Sequence, residues 1–169
     1  VSHTVEVNPK SAKKSLENFS GSWRRFELRG ETKEGALVYD DYGHHPTEIK
    51  ATLSGLRSAY QDKNLITVFH PHTFTRTKAL LGDFSQSFKN TNKLIVLDIY
   101  GSAREKQGGV SSKDLVKKIA QYNLKLKDLE QEIIYIPTLK EVENYLRKNL
   151  NSKNVVVLMG AGDVFRVGE

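Results

Sequence analysis

Hydrophobic and polar positions alternate between two periods along this chain. Continuous apolar runs of strand length occur at 36–40 (ALVYD), 65–69 (LITVF), 94–99 (LIVLDI), 133–136 (IIYI) and 155–159 (VVVLM). Between them the apolar residues recur at helical spacing. Ile49, Leu53, Leu56 and Tyr60 share one face after Pro46, and Leu80 or Leu81, Phe84 and Phe88 form a second such stripe. A third helix opens on Ser111 and Asp114 and carries Leu115, Ile119 and Tyr122; a fourth opens on Thr138 and Glu141 and carries Leu139, Val142 and Leu146. In both, a hydroxyl residue followed three positions later by an acid is the pattern of a capping box. Upstream, Asn8-Pro9 starts a helix with Ala12, Leu16 and Phe19 in step and Gly21 as its stop. A hairpin follows, from 23–29 through a turn rich in Gly30, Glu31, Thr32 and Gly35 to the strand at 36–40.

Continuous apolar strands that alternate with helices of about 10–15 residues imply a mostly parallel open sheet, Rossmann-like, with helices on both faces. In such sheets ligands bind beyond the carboxyl ends of the strands. Those ends read DDYGHHP (40–46), FHPHTFTR (69–76), DIYGSARE (98–105) and GAGD (160–163), so four of the five histidines converge on one edge with arginines and carboxylates. His44, His45, His70 and His72 with Asp40 or Asp41 have the chemistry of a zinc site, but not the spacing of a helical pair of ligands. Local capping or hydrogen bonding is the simpler expectation for His45 and His70. Arg76 opens a helix, where acids are favoured, which makes sense if an anion binds beside it. The Gly160-Ala161-Gly162 turn suits a phosphate or simply a tight strand-to-helix connection, and composition alone makes Arg24-Arg25 solvated charge.

Composition narrows the possibilities. At 169 residues, 38% hydrophobic and 27% charged, the chain is one globular domain's worth of sequence. No apolar run approaches the roughly 18 residues of a membrane span, and zero cysteines exclude disulfides, thiolate metal sites and a cysteine nucleophile. The net charge of +6 raises nucleic acid as a partner. The basic residues are scattered among acids on outer helix faces, however (Lys113, Lys117, Lys118, Lys125, Lys127), which describes a solvated surface rather than a binding stripe. No GxxxxGK[ST] phosphate loop occurs. The start at Val1, and an end seven residues after Gly162 where a further covering helix is expected, give the expectation of an excised piece with its last helix cut short.

The segments WRRFE (23–27), DDYGHHPTEI (40–49), FHPHTFTRTK (69–78), DIYGSAREK (98–106), VSSKDL (110–115) and GAGDV (160–164) together resemble the C-terminal portion of the Mur ligase family of peptidoglycan synthesis. The resemblance runs from about residue 8 to the end. It implies an ATP-dependent acid–amino-acid ligase of the bacterial cytoplasm with three domains: an N-terminal domain for the uridine nucleotide, a central phosphate-loop domain for ATP and Mg2+, and a C-terminal Rossmann-like domain for the incoming amino acid. On that reading residues 1–20 are the tail helix of the central domain and 21–169 the C-terminal domain, inactive by itself. No cofactor or metal is then expected on this chain alone, and neither a nucleic-acid nor a membrane partner. The branch implied attaches L-alanine to UDP-N-acetylmuramate through an acyl phosphate. The alternatives are the recycling branch that attaches a tripeptide to the same sugar nucleotide and, in a different class, a zinc hydrolase built on the histidine edge. Residue by residue, the resemblance implies that Arg25 lies near the ATP phosphates and Asp41 contacts the ribose. Tyr42, His44, His72 and Arg76 then fall at amino-acid and product contacts, with Arg25, Asp41, His44 and His72 as the catalytic set. Thr73 stands where some members carry an arginine, which implies a weaker or differently arranged carboxylate clamp.

Overall fold

The alternation of apolar strands and amphipathic helices produces a six-stranded sheet in the order β1-β2-β6-β3-β4-β5. The structure, a computed structural model, describes residues 7–19, 21–105, 107–126 and 129–169; the expectations that involve residues 1–6, Ser20, Lys106 and Lys127 lie outside the described residues. The strands are β1 (Glu27–Glu31), β2 (Leu37–Asp41), β3 (Asn64–Phe69), β4 (Lys93–Val96), β5 (Glu132–Tyr135) and β6 (Asn154–Met159). The helices are α1 (Pro9–Glu17), α2 (Pro46–Ala59), α3 (Phe74–Ala79), α4 (Leu81–Ser85), α5 (Ser112–Asn123) and α6 (Leu139–Asn149), followed by a 3-10 turn at Val164–Gly168. β1 and β2 form the expected antiparallel hairpin, and every other pairing is parallel.

Because side chains alternate across a strand, each buried strand feeds two cores. Leu65, Phe69, Leu94, Val96, Val155 and Val157 pack with Ile49, Leu53 and Leu56 of α2, Phe84 of α4, and Leu115 and Ile119 of α5. Ile66, Val68, Ile95, Val156 and Leu158 pack on the other face with Val142 and Leu146 of α6 and with Val164. The chain reaches β6 from β5 through α6, on the face opposite α2 and α5, and inserts it between β2 and β3. That reversal opens a crevice at the carboxyl ends of the three strands. Register makes this edge a straight line: Asp41 pairs with Met159, Met159 with Phe69, Phe69 with Val96, and Val96 with Tyr135.

The caps read from sequence are present. Ser111 and Asp114 form a full capping box, and Thr138 accepts from the Glu141 N–H. Three elements differ from expectation. The first hairpin strand is Glu27–Glu31 rather than 23–29, because Arg24 and Phe26 take left-handed backbone conformations. The helix anticipated through Leu80, Phe84 and Phe88 is broken at Leu80 into α3 and α4, with Phe88 buried beyond α4. β4 ends at Val96 rather than 99: Leu97 donates to the Phe69 carbonyl and Asp98 to that of Pro137, so the chain leaves the ladder to build the edge. α1 carries the stripe expected of it but buries no residue; Leu16 and Phe19 are exposed.

Candidate functional site

A strained turn begins the site. Arg24 and Phe26 hold left-handed backbone conformations, φ 55° and 49°, which cost a non-glycine residue about 1–3 kcal/mol each and persist only where the surroundings enforce them. Here Glu27 accepts the Arg24 N–H at 2.7 Å, and Asp41 Oδ2 accepts the Phe26 N–H at 2.9 Å. The Arg24 guanidinium is buried: Nε donates to Asp40 Oδ2 at 2.8 Å, Nη2 to the Gly160 carbonyl at 2.7 Å and Nη1 to the Gly162 carbonyl at 2.8 Å. The expectation of solvated charge at Arg24-Arg25 therefore fails for Arg24, because a fork of donors matches a buried carboxylate and two turn carbonyls that would otherwise go unpaired. The same turn sends Arg25 outward, 5.6 Å over the Tyr42 ring and 3.8 Å from Glu48.

β2 delivers Asp40 and Asp41 to the edge. Asp40 is fully buried; desolvation pushes its carboxyl up against the pull of Arg24. Asp41 also accepts the Gly43 N–H, at 2.7 Å, so its two oxygens shape the loop leading to α2. His45 caps α2 as expected, accepting the Thr47 N–H at 3.3 Å, while Glu48 Oε2 reaches back to the N–H groups of both His44 and His45. Desolvation works against the charge on Glu48, but these two donations outweigh it and hold its carboxyl low.

The His44 and His72 rings face each other, centroids 6.3 Å apart. Their neighbours fix their tautomers. His44 Nδ1 lies 3.0 Å from the Tyr42 carbonyl, so it carries the proton and leaves Nε2 as an acceptor. His72 Nδ1 lies 3.3 Å from Arg76 Nη1, and an arginine can only donate, so neutral His72 carries its proton on Nε2. Desolvation, Arg76 and His44 all lower the affinity of His72 for a second proton. Tyr42 meets His44 edge-on, and Tyr100 stacks on His72 at 5.6 Å and 15°. The edge thus sets one acceptor, His44 Nε2, beside two donors, His72 Nε2–H and Arg76.

Thr73 occupies the N-cap of α3 with φ 70° and accepts the Arg76 N–H at 3.4 Å. The anion anticipated at this helix start is the chain's own Glu105, whose carboxylate accepts the Phe74 and Thr75 N–H groups at 3.1 Å. Desolvation raises the Glu105 carboxyl, but donations from Ser102, Thr75 and Phe74 prevail and hold it at about 2. A carboxylate 31 residues from the helix it caps gives no local sequence signal. His70 also departs from expectation: its Nδ1 is buried without a hydrogen-bond partner.

The candidates come from the turn before β1 (Arg25), the end of β2 and the loop after it (Asp41, Tyr42, His44), the loop after β3 (His72) and α3 (Arg76), and stand along one sheet edge. Among the described residues no group of three or more His, Cys, Asp or Glu side chains is placed to hold a metal ion. Asp40 is committed to Arg24 and His45 Nδ1 to its helix, which takes two of the donors that a zinc hydrolase on this edge would use.

The model of the Mur ligase glutamate ligase domain matches residues 24–162, most of this chain. The chain belongs to the Mur ligase family. A UDP-N-acetylmuramate–L-alanine ligase from Acetivibrio thermocellus is 48% identical over 93% of this chain and 32% of its own length. One from Caldanaerobacter subterraneus is 40% identical over the whole chain and 35% of its own length. The chain thus spans about a third of the curated relatives it matches. Among solved structures, the UDP-N-acetylmuramate–alanine ligase of Thermotoga maritima shares the fold with a TM-score of 0.74 at 21% identity, over 99% of this chain and 33% of that one. No helix among the described residues of this Mur ligase domain is long and apolar enough to cross a membrane.

Proposed function

We propose that this chain is the amino-acid-binding domain of an ATP-dependent ligase of the bacterial cytoplasm that joins L-alanine to UDP-N-acetylmuramate for cell-wall synthesis. The observation that carries the reading is the facing pair His44 and His72. An α-amino acid presents a carboxylate and an amine on one carbon. Arg76 and His72 Nε2–H donate to the carboxylate, while His44 Nε2 accepts from the amine. The identity to proteins of that name supports the choice of L-alanine.

In this reaction ATP phosphorylates the muramoyl carboxylate, and the alanine amine then displaces phosphate to form the amide, releasing a proton. The chain's residues act around those steps. Arg25, aimed outward by the strained turn, faces the nucleotide phosphates when the domains close, and Asp41 faces the ribose. Tyr42, beneath Arg24 and Arg25, and the His44–His72 pair orient the amine, and closure excludes water that would hydrolyse the acyl phosphate. Asp40, Asp41 and Glu48 are spent on arginine and backbone, so they do not fit a Mg2+ site and no step runs through the ion on this chain; the central domain would hold it. Residues 1–20 are read as the tail of that domain, and 21–169 by themselves are inactive.

The test is kinetic, in the intact enzyme. A charge-assisted arginine–carboxylate bond is worth about 1.5–3 kcal/mol, or roughly 10- to 150-fold. Arg76→Ala should raise the KM for L-alanine by that much and leave the KM for ATP nearly unchanged. Asp41→Ala should raise the ATP requirement or lower turnover. Equal effects of Arg76→Ala on both substrates, or acceptance of a tripeptide in preference to L-alanine, would overturn the reading. So would ATP turnover by this chain alone.

A further inference from the structure

His70 follows the last residue of β3, at the crevice between β3 and β6. It is 7% exposed, and its Nδ1 has no hydrogen-bond partner. Facing it at 3.6 Å is Asp163 Oδ1, itself buried and unpartnered. A donor and an acceptor so placed are a hydrogen bond short of contact by about half an ångström. The imidazole also meets Tyr100 edge-on, at 5.4 Å and 87°. Tyr100 in turn stacks on His72, its N–H bonds the Pro71 carbonyl, and His72 touches Arg76. The turn that carries Asp163 is pinned from the β1 side by Arg24 through the carbonyls of Gly160 and Gly162. A Cβ on Gly162 would lie 3.3 Å from the Tyr100 ring and 3.5 Å from His70 Nδ1, so turn and rings seat one another closely.

We propose that His70 and Asp163 are a positioning pair. Asp163 holds His70 as its Nδ1–H tautomer, and the fixed ring seats Tyr100 against His72, which sets the His72–Arg76 donors toward the substrate carboxylate. The role rests on the reading that His72 and Arg76 bind the amino acid. It adds two residues that do not themselves touch the substrate. The charges around His70 agree with a neutral ring. Burial lowers its affinity for a second proton and His72 lowers it further, while Asp163 and Asp98 oppose, with a net fall.

Two measurements test the pair. In this chain, nitrogen NMR of labelled imidazoles should find His70 protonated at Nδ1. Asp163→Ala should move the proton to Nε2 and shift the His72 and Tyr100 ring resonances. Asp163→Asn, which keeps an acceptor, should restore the tautomer. Wild-type His70 protonated at Nε2, or His72 and Tyr100 resonances indifferent to Asp163→Ala, would overturn the pairing. In the intact enzyme, Asp163→Ala should raise the KM for L-alanine about 5- to 10-fold with ATP within twofold, and Asn should recover most of the loss. If Asp163→Ala does not fold, His70→Gln, which retains a donor, should stay near wild type while His70→Leu shows the same selective rise. A parallel rise for ATP, or no rise, refutes the positioning role. Arg76→Ala measured alongside separates the readings: if it leaves the L-alanine KM unchanged, the amino-acid assignment fails, and the NMR result still decides the pair.

Discussion

Arg24→Met should cost this domain far more stability than a substitution beside a surface turn ordinarily does. Arg24 is 2% exposed and Asp40 is 0% exposed. Methionine keeps most of the apolar stem, so what disappears is the fork of donors to Asp40, Gly160 and Gly162. Removing one partner of a buried pair costs about 3–5 kcal/mol, because the other charge stays buried without compensation. Net stabilities are typically about 5–15 kcal/mol, so the loss should be visible directly. Burial already raises the Asp40 carboxyl, and Arg24 opposes it most strongly, with a lesser pull from Arg29; the variant pushes it higher still. A group whose pKa is raised on folding contributes stability that is fully present below its unfolded pKa and lost as pH rises through the folded one. The deficit should therefore be largest at neutral pH and shrink as pH falls toward about 4. Urea unfolding followed by circular dichroism and by fluorescence of Trp23, the single tryptophan, measures it. The double variant Arg24→Met/Asp40→Leu should recover most of the loss. A single variant costing less than about 1 kcal/mol, or a double no better than the single, would show that the pair is not holding the turn.

Glu105 supplies a pH test of opposite sign. Its carboxyl is held at about 2 in the fold, so its contribution is present above the unfolded value near about 4.3 and lost as pH falls toward the folded one. Protection of the Phe74 and Thr75 amides, relative to their intrinsic exchange at each pH, should fall across that window; protection unchanged down to the acid end would mean that Glu105 does not cap α3. Gly160→Ala should also destabilise. At φ +144° the backbone cost alone is about 1–3 kcal/mol, and the new Cβ would stand 2.6 Å from the His70 carbonyl oxygen. The melting temperature should fall by several degrees, and an unchanged value would contradict so close an approach of β6 to β3.

Local order was written in the chain because its causes act over a few residues. The capping boxes at Ser111 and His45 and the apolar stripes of α2, α5 and α6 each follow from side chains three or four positions apart. The continuous strands implied a covered parallel sheet, and the strand ends alone placed Asp41, His44, His72 and Arg76 at its carboxyl edge. The resemblance of the motifs implied roles, still to be tested, that spacing alone does not contain.

Tertiary structure decided the rest. Arg24 and Arg25 are adjacent and chemically identical, yet one is buried on Asp40 and two turn carbonyls while the other projects from the edge. Only the left-handed turn and the insertion of β6 beside β2 separate them. Glu105 capping α3, Asp163 against His70 and the facing of His44 and His72 likewise depend on groups brought together by strand order. Periodicity and caps record the interactions of neighbours along the chain. A buried charge or an imidazole proton answers to whatever the fold sets beside it.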